Sequence, residues 1–210
     1  MFITQFSMNA QSFYLKTGRN FTNYTFTDAQ GTTTKLLLPD MGNSYIIGFA
    51  TAFPNNKLNH NGEHSRFSYE FGMSLDEYNS AVGVTGSSLK WKTEYAGLNN
   101  AFLFSLLKTK FFVFDAKVGL NIGGIVYGKE EINGIIHDLK DIDGFRGILF
   151  CSNLGIQVKF LASENGYITL GYENRRSLNT TTVYPEKFSM ESNQVSIGVY
   201  FKIKNSNPNN

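Results

Sequence analysis

The sequence predicts an all-β fold, with eight antiparallel strands closed into an up-and-down barrel. Three observations carry that prediction. Strand-length alternation recurs along the chain: Phe67, Tyr69, Phe71, Met73 and Leu75 alternate with Ser68, Glu70, Gly72, Ser74 and Asp76. Successive side chains on a strand point to opposite faces, so each such run is a two-faced ribbon. No helical periodicity intervenes between the long runs, and 20 glycines against four prolines suit close-packed strands. Aromatic residues reach 15% while charged residues are only 17%, below the roughly 25% of soluble domains. At 210 residues the chain suffices for one such domain.

The first strand spans about Ser12–Phe26, with Phe13, Leu15, Thr17 and Phe21 opposite Tyr14, Lys16, Gly18 and Asn20. The second, Ser44–Phe53, sets Tyr45, Ile47, Phe49 and Phe53 against Ile46, Gly48, Ala50 and Ala52. The third is the ribbon Arg66–Glu77. The fourth, Leu89–Leu106, opposes Trp91, Thr93 and Tyr95 to Lys92 and Glu94, then moves its apolar set to Phe102, Phe104 and Leu106. That parity change predicts a bulge near Gly97–Asn100. The fifth, Phe111–Tyr127, and the sixth, Phe145–Phe160, alternate cleanly, as do the seventh, Tyr167–Ser177, and the eighth, Met190–Ile203.

The connectors are unequal. Thr27–Asn43, Tyr78–Ser88, Lys129–Gly144 and Leu178–Ser189 are long, whereas Leu107–Lys110 and Leu161–Gly166 are short. Membrane barrels carry short turns at one end and long loops at the other. Pro54–Ser65 departs from this rule, being long on the short side.

Period-2 alternation fits either a soluble barrel with its apolar face inward or a membrane barrel with that face outward. The polar face decides for the membrane. It is built of Gly, Ala, Ser and Asn at mid-strand, which suits a crowded lumen, and its few charges carry both signs. Glu70, Lys92, Glu94, Asp115, Lys117, Glu173 and Arg175 are therefore expected to pair across the lumen, as burial of charge requires. Phe67, Tyr69, Phe71, Phe112, Phe114, Val118, Leu120, Ile168, Leu170, Tyr172, Val195, Ile197, Val199 and Phe201 are expected to face lipid. No run approaches the roughly 20 apolar residues of a transmembrane helix, but barrel strands need none.

Three segments carry the likeness to a known family. These are Phe13-Tyr14-Leu15-Lys16-Thr17-Gly18 after Asn9-Ala10-Gln11, the run Phe67–Met73, and the closing Gln194–Phe201. With them the chain resembles the outer-membrane β-barrel domain family, the small OmpX/OmpA-like and PorT-like barrels of Gram-negative bacteria. Phe201 departs from that pattern, since nine residues follow it. The resemblance implies an integral outer-membrane protein with a packed lumen. It would serve as a structural component or an accessory subunit of a secretion or assembly complex, with outer-membrane lipid and other outer-membrane or periplasmic proteins as partners.

Residues 1–11 read as the remnant of a secretory signal, 12–203 as the barrel and 204–210 as a polar tail, with both termini periplasmic. A net charge of +2 argues against nucleic acid. Cys151 excludes an intrachain disulfide. His60 and His64 read as loop residues rather than metal ligands, and no cofactor, metal, small-molecule substrate or catalytic residue is expected. Within Lys129–Gly144, Ile132, Ile135, Ile136, Leu139 and Ile142 have the spacing of a short amphipathic helical turn. The first four are the candidates for docking a partner or folding over the mouth. Leu36-Leu37-Leu38-Pro39 is a second exposed apolar candidate. One alternative is a lipid-modifying enzyme using Ser80, Ser87 or Ser88 with His137, oriented by Glu130 or Asp138. A soluble, lipocalin-like carrier of an apolar ligand is the other.

Overall fold

Ten strands hold nearly every described residue in the computed structural model, which describes residues 12–27, 32–35, 38–53, 66–84, 87–140, 147–177 and 187–203. They are β1 (Ser12–Thr27), β2 (Thr33–Lys35), β3 (Leu38–Ala52), β4 (Phe67–Val84), β5 (Ser87–Lys108), β6 (Phe112–Ile132), β7 (Ile135–Asp138), β8 (Ile148–Ser163), β9 (Gly166–Ser177) and β10 (Lys187–Lys202). The eight long strands pair antiparallel in the order β1-β3-β4-β5-β6-β8-β9-β10, and β10 returns to β1 over the full register Ser12↔Lys202 to Thr27↔Lys187. That last pairing closes the barrel and removes its free edges. The short β2 and β7 add on to β1 and β6 at the end away from Ser12 and Lys202. The expected signal remnant and polar tail lie outside the described residues.

Inside the barrel a side chain of one strand lies flat over its neighbours. Gly48 and Gly72 face each other across the β3–β4 ladder. A Cβ on Gly48 would stand 2.3 Å from the Phe71 carbonyl oxygen and 2.7 Å from the Tyr14 hydroxyl. Only glycine lets Tyr14 lie across these two strands.

The outside carries an apolar belt. Phe71, Val118, Leu120, Ile168, Leu170, Tyr172, Val195, Ile197 and Phe201 are all exposed there. On β4 the belt runs from Phe67 to Leu75, nine residues, within the roughly 9–11 that a tilted strand needs to cross hydrocarbon. Ring pairs gather toward the Ser12 end: Phe13–Phe49 at 5.6 Å, Phe67–Phe104 at 4.9 Å, Tyr69–Phe102 at 5.0 Å and Phe112–Phe160 at 6.4 Å. Such an aromatic girdle marks a membrane–water boundary. At the other edge the outer face turns polar. Arg19 donates to Asn43, Asn43 donates to Glu77 at 2.9 Å, and Arg176 pairs with Glu191 at 2.9 Å.

Beyond that polar collar the two faces exchange character. Tyr24, Tyr78, Trp91, Tyr95, Leu139, Cys151 and Met190 form an apolar cluster inside the barrel, with Leu89, Ile125 and Leu149 against it. Lys90 and Lys92 stand outside, exposed. This inversion corrects the expected bulge. Trp91, Thr93, Tyr95, Asn99, Ala101, Leu103 and Ser105 are all buried on one face, so β5 keeps a single parity through Gly97–Asn100. The two register shifts of β5 against β6 lie elsewhere. One places Tyr95 opposite Ile125 and Glu94 opposite Tyr127, leaving Val126 as an extra residue on β6, and the other leaves Leu106 extra on β5. The change in sequence pattern records a change of solvent outside the barrel, not a slip of register.

Two further expectations are corrected above the collar. Tyr78–Ser88 is mostly ribbon, because β4 runs to Val84 and β5 begins at Ser87. The expected helical turn in Lys129–Gly144 is a hairpin, with Ile132 paired to Ile135 across Asn133-Gly134 at φ of 51° and 84°. Positive φ at both central residues is what an Asn-Gly turn supplies. Leu139, just past β7, turns back into the mouth and is fully buried. Its amide donates to the Gly128 carbonyl at 3.1 Å, and a Cβ on Gly128 would stand 3.1 Å from the Leu139 Cβ. Leu139→Ala removes the ceiling of the inner cluster and should lower unfolding stability by about 2–4 kcal/mol, read from urea midpoints in micelles. Ile136→Ala, at an exposed position on the same hairpin, should change it by less than about 0.5 kcal/mol.

Candidate functional site

The lumen within the belt is filled by charge. Alternation on β1, β4, β6, β8 and β9 aims Lys16, Glu70, Asp76, Asp115, Lys117, Lys159, Glu173 and Arg175 at the axis. All are buried except Lys159, which is partly so. Four cations meet four anions. Lys16 Nζ lies 2.8 Å from Glu70 Oε2, and Lys117 Nζ lies 3.4 Å from the same oxygen and 2.7 Å from Glu173 Oε1. Arg175 Nη2 is 3.5 Å from Glu173 Oε2, while its Nη1 is 2.9 Å from Asp76 Oδ1. Lys159 reaches Asp115 at 3.0 Å.

Neutral groups weld these pairs into one network. Gln157 accepts from Lys16 at 3.2 Å and donates to Glu70 at 3.2 Å and Asp115 at 3.4 Å. The Tyr200 hydroxyl donates to Glu70 Oε1. Ser44 and Asn121 donate to Asp76 at 2.6 and 3.2 Å, and Ser105 donates to Asp115 at 2.8 Å. Gln194 accepts from Arg175 at 2.8 Å and passes its own amide hydrogen to Asn20 at 2.9 Å. Tyr14 stacks on Tyr200 with centroids 5.1 Å apart, and Lys16 Nζ stands 4.8 and 5.2 Å from the two ring centroids. Charges taken out of water are tolerated only when paired and hydrogen-bonded in this way. Chemically, the arrangement neutralises and fills the interior.

Glu70, Asp115, Lys117, Glu173 and Arg175 are brought together as the alternation implies. Lys92 and Glu94 are not. Lys92 is exposed on the outer face of β5, and Glu94 shares that face, because Trp91, Thr93 and Tyr95 take the inside there. Their strand has left the belt, so the charged face is the wet one. Lys16, Asp76 and Lys159 complete the network on the inward phase of the strands already read. The fourteen residues assigned to lipid all lie on the outward phase of their strands, with Tyr69, Phe112, Phe114 and Val199 half-buried by neighbours.

Of the docking candidates, Ile132, Ile135 and Ile136 are exposed, whereas Leu139 is buried inside the mouth. Leu38 is exposed on β3, and Leu36, Leu37 and Ile142 lie outside the described residues. Asp138 ties the hairpin down from 3.5 Å to Lys129 and 3.8 Å to Lys140. The Lys140 backbone N–H, then the two ammonium groups, hold its carboxyl below the usual carboxylate range. Ser80 is buried, and its hydroxyl donates to the Thr22 carbonyl at 2.6 Å. Glu130 accepts from the Trp91 indole at 2.8 Å. No hydrogen bond among the described residues joins Ser80 to His137. His60 and His64 and the side chains of Ser87 and Ser88 lie outside the described residues, among which no group of three metal-binding side chains occurs.

Replacing Arg175 by Met leaves Asp76 and Glu173 short of their cation and should cost about 3–5 kcal/mol of unfolding stability. The double variant Asp76→Leu with Arg175→Met should cost much less than the sum of the single changes, read as a double-mutant cycle in urea. Lys92→Glu, outside the barrel, should shift stability by no more than about 0.5 kcal/mol.

The sequence matches no protein-family model and no curated protein. Among solved structures, several are similar to it over most of both chains. Neisserial surface protein A (NspA) superposes with a TM-score of 0.49 at 12% identity, over 91% of this chain and 97% of that one. Ail, the attachment invasion locus protein of Yersinia pestis, solved with the heparin analogue sucrose octasulfate, gives 0.43 at 10% identity over 92% and 100%. The outer membrane protein OprG from Pseudomonas aeruginosa gives 0.43 at 11% identity over 92% and 96%. The eight-stranded closure is read from this chain's own register, and small outer-membrane barrels are what it is similar to in fold.

Proposed function

We propose that this chain is an integral protein of the bacterial outer membrane, a barrel plugged by its own side chains. It acts there as a structural component or as an accessory subunit of a secretion or assembly complex. The observation that carries the reading is the double polarity of the wall. An ionic, neutralised interior, with a small apolar cluster of Tyr14, Ile46, Ala50 and Tyr200 beside it, lies directly behind an apolar exterior, and where that exterior ends the larger inner cluster begins and the outside turns charged. A soluble ligand carrier needs the opposite arrangement throughout, with an apolar cavity behind a charged skin. An eight-stranded barrel has an interior just wide enough for side chains, and here eight charged groups and their partners occupy it. Transport through the lumen is therefore not its role.

The ends of the barrel differ in a way that supports an orientation. Ser12 and Lys202 lie together at the end with the tight turns Thr109–Phe111 and Glu164–Asn165, and this end faces the periplasm in the proposal. Ribbons at the other end rise well past the belt. The 22 residues of β5 are about twice what the hydrocarbon requires. Ile135 and Ile136, exposed at the tip of the β6–β7 hairpin, offer a protein partner an apolar contact beyond the belt.

Fractionation should place the protein with the outer membrane, and it should migrate differently on gels before and after boiling. Reconstituted in planar bilayers it should show no conductance steps. A detergent-soluble complex captured by the full chain should be lost on Ile135→Asp with Ile136→Asp while the heat-modifiable band persists. A soluble monomer, or a steady open conductance, would overturn the reading.

A further inference from the structure

We infer that the mouth at the Ser12 and Lys202 end is a docking surface for an acidic segment of a water-soluble protein. Inside the plug the charges balance, four cations against four anions. At the floor the balance fails. Arg66, Lys108, Lys110, Lys159 and Lys202 gather there from four strands and one turn. Arg66, Lys110 and Lys202 are exposed, and among the described residues no ion pair holds them. Outside the plug, Glu164 is the one acid at this end among the described residues. The Lys202 ammonium donates to its backbone carbonyl at 2.8 Å. In sequence, the segment joining β3 to β4 and the chain beyond β10 add Lys57 and Lys204 against Glu63.

Strand phase aims these charges at the mouth rather than at lipid. Lys108 stands opposite Val113, which shares the inward phase of Asp115 and Lys117, and Val113 stands opposite Lys159. The two lysines are thus two strands apart, about 10 Å. Lys202 has the phase of Tyr200, and its Nζ lies 5.3 Å from the Tyr167 ring centroid, while Lys159 Nζ lies 5.1 Å from that of Tyr200. The rings orient both ammonium groups. Arg66 stands at the foot of β4, where its carbonyl accepts from the Ser105 amide at 2.8 Å. Lys110 occupies a turn pinned by Thr109, whose hydroxyl accepts from the Phe111 and Phe112 amides at 3.2 and 3.0 Å. Outward positions at the same height include Phe67, Phe104, Phe112 and Phe160, and among the described residues none of them is charged.

This placement selects the partner. Like charges about one Debye length apart are only partly screened, so the mouth carries a positive field that an anion relieves. Lipid headgroups surround a barrel and meet its outward face, which here offers rings and no cation. An approach along the axis, from the water beneath the mouth, meets the cations instead. Their spread over several strands suits a run of carboxylates on one polypeptide better than a single small ion. At the far end acids accompany the bases, Asp138 beside Lys129 and Lys140 and Glu191 beside Arg176, so the unbalanced field belongs to one mouth. The inference deepens the accessory-subunit reading and rests on its orientation for the partner's compartment, the periplasm.

The test uses the full chain in phosphatidylcholine nanodiscs and a fluorescent oligoglutamate peptide. Binding should saturate, should weaken at least about tenfold between about 0.05 and 0.5 M salt, and should be absent for oligoglutamine of the same length. Arg66→Gln, Lys110→Gln and Lys202→Gln together should weaken it at least about tenfold. Lys159 is left in place because Asp115 depends on it. The single changes Lys110→Gln and Lys202→Gln should each weaken it in part, and they carry the test if the triple variant does not fold. Lys90→Gln with Lys92→Gln, at the far end, should leave it unchanged. Equal affinity for both peptides, unaltered affinity in the triple and single variants, or an equal loss on Lys90→Gln with Lys92→Gln overturns the inference. So does phosphatidylglycerol enriched around the native chain and lost in the triple variant with no peptide bound, which assigns the cations to headgroups. The binding assay uses neither fractionation nor a captured complex, so its failure leaves the outer-membrane reading standing, and failure of that reading shows separately in fractionation.

Discussion

Burial of eight charges in a tube with no free edge is the constraint on which the rest depends. Once β10 pairs with β1, every inward side chain between Lys16 and Arg175 must find its partner across a space a few side chains wide. A soluble core would answer with apolar residues. Here most large apolar residues of the belt are on the exterior, so the interior is largely polar and must be closed by pairing. The network neutralises itself: Glu70 sits between Lys16 and Lys117, Glu173 between Lys117 and Arg175, and Asp76 takes the far side of the guanidinium. Replacing such pairs by matched apolar groups can be neutral, whereas halving one is costly. The network therefore specifies the arrangement of the barrel more than it supplies stability.

The second organising feature is the exchange of faces at the collar. Below it the wall is greasy outside and ionic inside. Above it Trp91, Tyr95 and Leu139 point inward and Lys90 and Lys92 outward. Although β6 carries an extra residue at Val126 near this line, β5 keeps one parity along its inward positions from Trp91 to Ser105. What changes is the medium touching the outer surface. A hydrocarbon exterior drives apolar side chains outward, and a water exterior drives them in, so the same ribbon carries opposite patterns in its two halves. Leu139 matters because it completes the upper, water-borne core from a short hairpin whose residues from Asn133 to Asp138 are not buried.

This explains which parts of the site were legible in the residues. Inside the belt, alternation alone separates Phe71 from Glu70 and Val118 from Lys117, and the lipid-facing assignments follow from it. Lys92 and Glu94 illustrate where that logic stops. Assigning the polar residues of a ribbon to the lumen holds only while lipid covers the other face. Periodicity carries no mark of the height at which the bilayer ends. The apparent bulge at Gly97–Asn100 has the same origin. The hairpin at Asn133-Gly134 was legible in principle from its turn residues, but the isoleucine spacing around it also fits a helix over so short a run.

From its residues alone, this chain determined the number of long staves, the phase of each one inside the belt, and the presence of a charged, small-residue interior, because a period of two is a local property of strands. Tertiary structure decided which charge meets which, where the register shifts fall, that Leu139 enters the mouth, and that Lys92 and Glu94 stand outside. Those depend on the stagger of non-adjacent strands and on the level of the solvent boundary, and neither leaves a trace in local periodicity.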